Sequence, residues 1–421
     1  MKIFDSKYIT YKNNELYCEN IRVKEIVEKF GTPVYVYSKN YMIDKFNELS
    51  NAFKDTNHKI FFACKSNYNL SVIELFNKLG AGIDVNSAGE FYRATKAGVN
   101  PENLIMSGVG KTAEEIKLAL ENNIHLLKAE SLGEIELINR IAKDLKKKAR
   151  LAIRVNPNVD PVTHPYISTG LAENKFGIDE TAVEEIFTKA AQLKNISLVG
   201  IDMHIGSQIT KLEPYIEAVK KIVELVKNLE NKNIKLTHID LGGGIGIKYK
   251  DEKPFTAKEF ADAVIPILRE TNCKIYMEPG RFLTANGGIL LTKVLYVKNN
   301  LDKNFIIVDA AMNDLLRPSI YSAYHHIQPV ELNKEEKDIE ADIVGPVCES
   351  GDFLAKRRKI QKMCPNELLA VMSAGAYAIT MASNYNGRRM PPEVLIDEDS
   401  YKLIRKRETY EQLIQNEITL I

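Results

Sequence analysis

From residue 58 onward the sequence alternates short apolar runs with stretches of roughly 12 to 25 residues in which apolar positions recur every three or four. The short runs fall at 59–64, 83–85, 104–107, 125–128, 151–155, 198–204, 238–241 and 274–277. Runs of that length bounded by turn residues read as buried strands, and the periodic stretches between them, as at 70–79, 113–122 and 181–193, read as helices with one apolar face. Eight strand–helix repeats favour a closed (β/α)8 barrel over an open sheet, because closure at eight strands leaves no unpaired edge. After Gly280 the rhythm changes. The segments 289–296, 304–309, 342–347 and 368–373 are strand-like, with few long helices between them. The expected fold class is therefore α/β plus all-β. A TIM-like barrel domain spans 34–285, and a second, mostly β domain of sandwich or barrel type is built from 1–33 and 286–421. The opening segment, with Thr32-Pro33 and the run 34–37, is expected to return to that second domain.

Length and charge narrow the partners. A chain of 421 residues can fill two cores. With 57 basic against 56 acidic residues the net charge is +1, which gives neither the positive field that attracts nucleic acid nor a one-sided membrane face, so a small-molecule ligand is expected. The charge runs 143–150 and 356–359 read as solvated faces. Five scattered cysteines, none in a CxxC pair, argue against a disulfide framework and against a structural metal site. The start is broken by charge every few residues and no apolar run approaches bilayer length, so a soluble, cytoplasmic protein is expected.

In a (β/α)8 barrel the chemistry gathers at the carboxyl ends of the strands. Here those positions are polar. Lys65 follows the first run, Asp84 lies in the second, Glu130 follows the fourth, His204 ends the sixth, Gly242-Gly243-Gly244 follow the seventh and Glu278 follows the eighth. An amine, an imidazole, a glycine turn and a carboxylate at one mouth suit a phosphorylated aldehyde cofactor. Lys65 ends the run Ile-Phe-Phe-Ala-Cys, so a dry mouth is expected to lower its pKa and free the nitrogen as a nucleophile. The glycines let backbone N–H groups approach a phosphate, and barrels bind phosphate in the loops after strands seven and eight. Glu278, in Glu-Pro-Gly-Arg, can pair with a pyridine nitrogen. Gly280 and Arg281 can add phosphate or substrate contacts, His204 can stack on a planar ring, and Ser207 can donate to a phosphate oxygen. Taken singly each has a plainer reading: a strand-end surface lysine, a simple turn, a satisfied core histidine. Their joint placement carries the argument.

The strings FFACKSNYN around Lys65, GIDVNSAGE at 82–90, ISTGLAENKFGI at 167–178, MHIGSQI at 203–209, LGGGIG at 241–246 and EPGR at 278–281 resemble the alanine-racemase-type (fold type III) pyridoxal-phosphate-dependent decarboxylases. In the second half, VDAAMNDLLRPSIY at 308–321, GPVCESGDFLA at 345–355 and GAYAITMASNYN at 375–386 are similar to the diaminopimelate-decarboxylating branch of that family. The resemblance implies that pyridoxal 5'-phosphate is held by Lys65. It implies cofactor contacts from Asp84, His204, Ser207, Gly242, Gly243, Gly244, Glu278, Pro279, Gly280, Arg281 and Tyr377. It implies that Arg281, Arg317, Tyr321 and Tyr377 bind substrate, with the arginines on the distal carboxylate, that Glu349 binds the distal ammonium, and that Cys348 donates the proton. It implies meso-diaminopimelate as substrate, L-lysine and CO2 as products, and a homodimer whose subunits share their active sites. Those residue types suit a substrate with an amino-acid head at each end, since a guanidinium fork fits a carboxylate and an anion fits an ammonium. Within the same fold the alternatives are decarboxylases of other basic amino acids or of carboxynorspermidine, and a non-catalytic cofactor-binding or regulatory relative. The chain departs from the family pattern at Cys64, Ser66, Ala311, Ala378 and 387–390.

Overall fold

The structure is a computed structural model that describes residues 3–420 apart from 162, 168, 171–173, 302 and 334, so part of the 167–178 string lies outside the described residues. It divides into two compact units. One comprises Lys45–Lys248 and Glu252–Phe282, the other Met1–Asp44, Tyr249–Asp251 and Leu283–Ile421.

The first unit is a closed parallel barrel of eight strands. They are β1 (His58–Ala63), β2 (Gly82–Val85), β3 (Leu104–Met106), β4 (Leu126–Ala129), β5 (Ala149–Asn156), β6 (Ile196–Met203), β7 (His238–Asp240) and β8 (Lys274–Met277). Each pairs in parallel with the next, and β8 closes on β1 through Ile275–His58 and Met277–Ile60. Among the described residues, seven helices of nine residues or more lie between consecutive strands, from Leu70–Lys78 to Ala257–Leu268. Their starts are encoded locally. Asn69, Ser87 and Ser131 accept backbone N–H groups of the first turn, and Thr112 with Glu115 and Thr256 with Glu259 form capping boxes. One interior layer of the barrel is Phe61, Ile105, Leu126, Ala152, Val199 and Tyr276, all buried. Glycine makes room for its large rings. A Cβ on Gly82 would lie 2.3 Å from the Phe61 ring, and one on Gly200 would lie 2.1 Å from His238 Nε2.

The second unit is mostly sheet. Ile9–Lys12, Glu15–Cys18 and Ile21–Arg22 form a small antiparallel sheet, and the long strand Gly288–Asn300 organises the larger one. Its first half pairs with Val34–Ser38 and Leu368–Val371, its second half with Lys303–Val308, which leads on to Asp338–Val344 and Phe353–Gln361. Ile9, Leu16, Val36, Leu291, Met372 and Val394 belong to one core. The opening segment returns to this unit as expected: Val34–Ser38 is hydrogen-bonded between Gly288–Asn300 and Glu393–Asp397, so the barrel unit begins at Lys45 and not at 34. The charged run 356–359 lies inside a strand. Lys356, Arg357 and Lys359 are exposed as expected, but Arg357 has φ +46° and the pairing slips beside it, which breaks the alternation that marks a strand.

Candidate active site

Lys65 lies in the single helical turn Cys64–Ser66 that follows β1 directly. The turn is closed by Ser66 Oγ, which donates to Ala63 O at 2.8 Å. Lys65 is half-buried rather than dry, and its charge reaches Asp84, Glu278 and His204. The mouth it occupies is therefore acidic more than apolar.

Asp84, in β2, is fully buried and accepts a hydrogen bond from Ser107 Oγ at 2.6 Å; the same hydroxyl lies 3.4 Å from Glu278 Oε1. Burial, and next the charge of Glu278, push its carboxyl up to about 7 against the pull of Lys65 and Lys128. Glu278 follows β8, with its own N–H donating to Gly242 O at 2.7 Å. Burial works against its charge, but the Lys128 ammonium, then Lys65 and Arg154, overcome that and hold it below the usual carboxylate range.

His204 follows β6. Its Nδ1 accepts the N–H of Gly243 at 3.0 Å, which leaves the ring proton to Nε2. Desolvation of the ring, and next the positive charge of Lys65, keep it neutral by holding its pKa well below the ordinary value. The glycines after β7 are required by close backbone approach. Gly242 and Gly244 have φ of +66° and +100°, and a Cβ on Gly243 would stand 2.2 Å from Glu278 O. Arg281 is buried and donates from Nη2 to Ser207 Oγ at 2.9 Å; Pro279 O accepts the N–H of Ala63 at 3.2 Å, and a Cβ on Gly280 would meet Ser66 at 2.8 Å. The barrel residues singled out from the sequence thus come together at the carboxyl ends of the strands.

Sequence reasoning missed what lies beneath them. Lys128 in β4 is buried and donates to Asp202 Oδ1 and Asp240 Oδ2, each at 2.7 Å, and to Glu278. Arg154 pairs with Glu130 at 3.2 Å. The signal was available as a charged residue inside an apolar run, in Leu-Leu-Lys128, Ile-Asp202-Met and Ile-Asp240-Leu.

In the second unit, Arg317 is buried at the start of the short helix Arg317–Tyr321 and Tyr321 lies four residues on, along the same face. Arg317 Nη1 donates to His325 Nε2 at 2.9 Å, His325 Nδ1 donates to Met372 O at 2.8 Å, and the guanidinium lies 4.7 Å from the Tyr249 ring centre. His325 and Tyr249 are positioning groups that the sequence reading did not find. Cys348 and Glu349 are exposed on a turn anchored by the buried Asp352, which accepts N–H groups of Val347 and Met312, each at 2.7 Å. The carboxylate of Glu349 accepts the Tyr385 hydroxyl and raises its pKa. Tyr377 is half-buried with φ +54°. Of the departures from the family pattern, Ala378 has φ −108°, which any residue adopts, so no glycine is needed there.

Residues 39–285 match the family model for the pyridoxal-binding domain of pyridoxal-dependent decarboxylases. This fold is the fold of that enzyme class. A diaminopimelate decarboxylase of Aquifex aeolicus is 48% identical over 97% of both chains. A crystal structure of diaminopimelate decarboxylase from Helicobacter pylori complexed with L-lysine superposes with a TM-score of 0.91 at 41% identity, covering 94% of this chain and 98% of that one. One from M. jannaschii in co-complex with L-lysine gives 0.93 at 38%, covering 98% of each. The chain belongs to the diaminopimelate decarboxylase family. Its mouth fits pyridoxal phosphate on its own geometry: the buried Asp84 Oδ2 has no hydrogen-bond partner among the described residues, Glu278 is held as an anion, and Arg281 with Ser207 offers donors beside the glycine turn. Among the described residues no helix is long and apolar enough to cross a membrane.

Proposed function

We propose that this protein removes one carboxylate of meso-2,6-diaminopimelate as CO2 and releases L-lysine. The observation that carries the reading is the convergence of Lys65, Asp84, His204, Glu278 and Arg281 on one barrel mouth in a chain whose relatives are named for this reaction. Bound L-lysine in two related structures supports the product.

Lys65 would hold the aldehyde of pyridoxal phosphate, Arg281, Ser207 and the backbone of Gly242–Gly244 its phosphate, and Glu278 its pyridine nitrogen. When bound, that cofactor supplies an electron-withdrawing ring that accepts the electron pair left by departing CO2. His204, neutral and fixed by Gly243, offers a flat face without adding charge. Arg317, oriented by His325, meets the distal carboxylate with Tyr321 beside it, and Glu349 meets the distal ammonium. Cys348 protonates the reacting carbon; a thiol suits the task as a weak acid that gives its proton to a carbanion. The exposure of Cys348 and Glu349 on an anchored turn supports their delivery to the partner subunit's site in a homodimer. Five free thiols favour a cytoplasmic setting.

The test is CO2 release over meso-diaminopimelate, L-lysine, L-ornithine, L-arginine and carboxynorspermidine. Release from diaminopimelate should exceed the others by at least about a hundredfold, the scale on which a site built for a charged head rejects analogues lacking it. Equal or faster release from ornithine would overturn the substrate.

A further inference from the structure

The barrel buries four carboxyl groups, Asp84, Asp202, Asp240 and Glu278, around one ammonium. The oxygens of Asp202, Asp240 and Glu278 lie within 4.8 Å of one another, and Lys128 Nζ contacts all three. Side-chain exposure is graded: 1% for Lys128, 0% for Asp240, 3% for Asp202 and 7% for Glu278. Glu278 is thus the member nearest the open mouth. An apolar side chain would fill the same space without the desolvation penalty of burying charge, so packing alone does not account for a lysine here.

We infer that Lys128 is a positioning residue for the cofactor, clamping Glu278 as the fixed anion that meets the pyridine nitrogen. The inference rests on the proposed pairing of Glu278 with that nitrogen. The surroundings act in the required sense. Glu278 faces Lys128 on β4, Lys65 after β1 and Arg154 on β5 as cations, and Asp84, Asp202 and Asp240 as acids. Burial pushes every carboxyl up, yet the cations bring Glu278 below its ordinary range, while Asp84, Asp202 and Asp240 stay above theirs. Lys128 itself stays protonated, because Asp202, Asp240 and Glu278 outweigh its burial. Any extra proton therefore goes to the deeper acids, and Glu278 keeps its charge. Removing the ammonium leaves Glu278 against like charges in a dry site, where it takes up the proton itself.

The test uses the purified holoenzyme and three variants: Glu278→Gln as the spectral reference, Lys128→Met, and the charge-balanced Lys128→Met/Asp202→Asn, which carries the test if the single variant does not fold. From about pH 6 to about pH 9 Glu278 is ionised in the wild type, so the only change of the visible band of bound pyridoxal phosphate expected from the buried carboxyls at this mouth follows Asp84, near 7. Both Lys128 variants should shift that band in the direction of Glu278→Gln and weaken cofactor binding at least about tenfold. A folded Lys128 variant with the wild-type band and affinity would overturn the inference. If Glu278→Gln leaves the band unchanged while Lys65 still forms its borohydride-reducible adduct, the pairing of Glu278 fails and Lys128 with it. If Lys65 forms no adduct, the functional reading itself has failed.

Discussion

The two units carry chemically important side chains in opposite ways. In the barrel unit the charged groups are buried and brace one another: Lys128 holds three carboxylates, Gly243 fixes the tautomer of His204, and Ser207 holds Arg281. In the sheet unit Arg317 is braced in the same manner by His325, but Cys348 and Glu349 stand exposed on a turn held at its base by Asp352, at Gly351 by Ser319 and at Glu349 by the Tyr385 hydroxyl. Buried, cross-linked charge costs desolvation energy and returns fixed geometry, which suits a bound cofactor. Exposed reactive groups on an anchored turn have no such geometry until something covers them. The difference separates groups fixed within one unit from groups whose proposed role requires a second surface.

The sharpest test removes the centre of the braced half. Lys65→Ala should abolish the borohydride-reducible adduct with pyridoxal phosphate and lower turnover by roughly a thousandfold or more, the scale of losing a covalent catalyst. Mass spectrometry after reduction reads the adduct, and label retained at another lysine would break the assignment. Next, Cys348→Ala should keep the adduct but turn over about 100- to 10,000-fold more slowly, as expected for a lost general acid. Mixing the two inactive chains tests the exposed half directly. Under random pairing half of the dimers are mixed and each restores one site of two, so about a quarter of the wild-type activity should return. No recovery would mean that Cys348 serves its own chain.

A smaller effect is expected at the braced part of the sheet unit. Arg317→Ala should raise KM for diaminopimelate at least about tenfold by stranding a carboxylate without its partner. His325→Phe leaves the guanidinium present but unaimed, so its KM should rise less than that of Arg317→Ala, with kcat nearly kept. Equal losses in both would show that His325 does more than orient.

The eight barrel strands were legible because buried strands between turns leave compact apolar runs, and the mouth residues because they end those runs. β8 begins and ends where its run does, at 274 and 277. What escaped depends on contacts distant in sequence. Val34–Ser38 is an apolar run like the others, so the barrel boundary falls at 34 from the sequence alone, although the opening segment is expected to return to the sheet unit; its partners at 288–291 and 393–396 move that boundary. The bulge at Arg357 erased a strand's alternation. Lys128, Asp202 and Asp240 each show in the sequence only as a single charge in an apolar run, and their mutual contact spans as many as 112 residues. The brace of Arg317 by His325 is shorter in sequence, but no spacing rule for strands or helices links the two.

The last test asks whether the two units also differ in how acid affects them. In the barrel, His238 is buried against Tyr276 at 4.5 Å, and burial, then the charge of Lys128, lower its pKa to about 3. Its folded value lies below the unfolded value near 6.5, so its contribution to stability is complete above about pH 6.5 and is lost as pH falls toward 3. In the sheet unit the sign reverses. Burial pushes Asp314 up to about 7, so its contribution is complete below about pH 3.9 and is lost as pH rises through 7. Each group should change stability by roughly 1.4 kcal/mol per pH unit inside its window. Urea unfolding from about pH 4 to pH 7 should show that His238→Gln removes a loss that grows as pH falls. Asp314→Asn should remove one that grows as pH rises. Asp84, also near 7, acts in the sense of Asp314 from within the barrel, so only the difference from wild type isolates each group. Parallel slopes in the two variants would mean that the units titrate as one, and the contrast between them would then be confined to their reactive side chains.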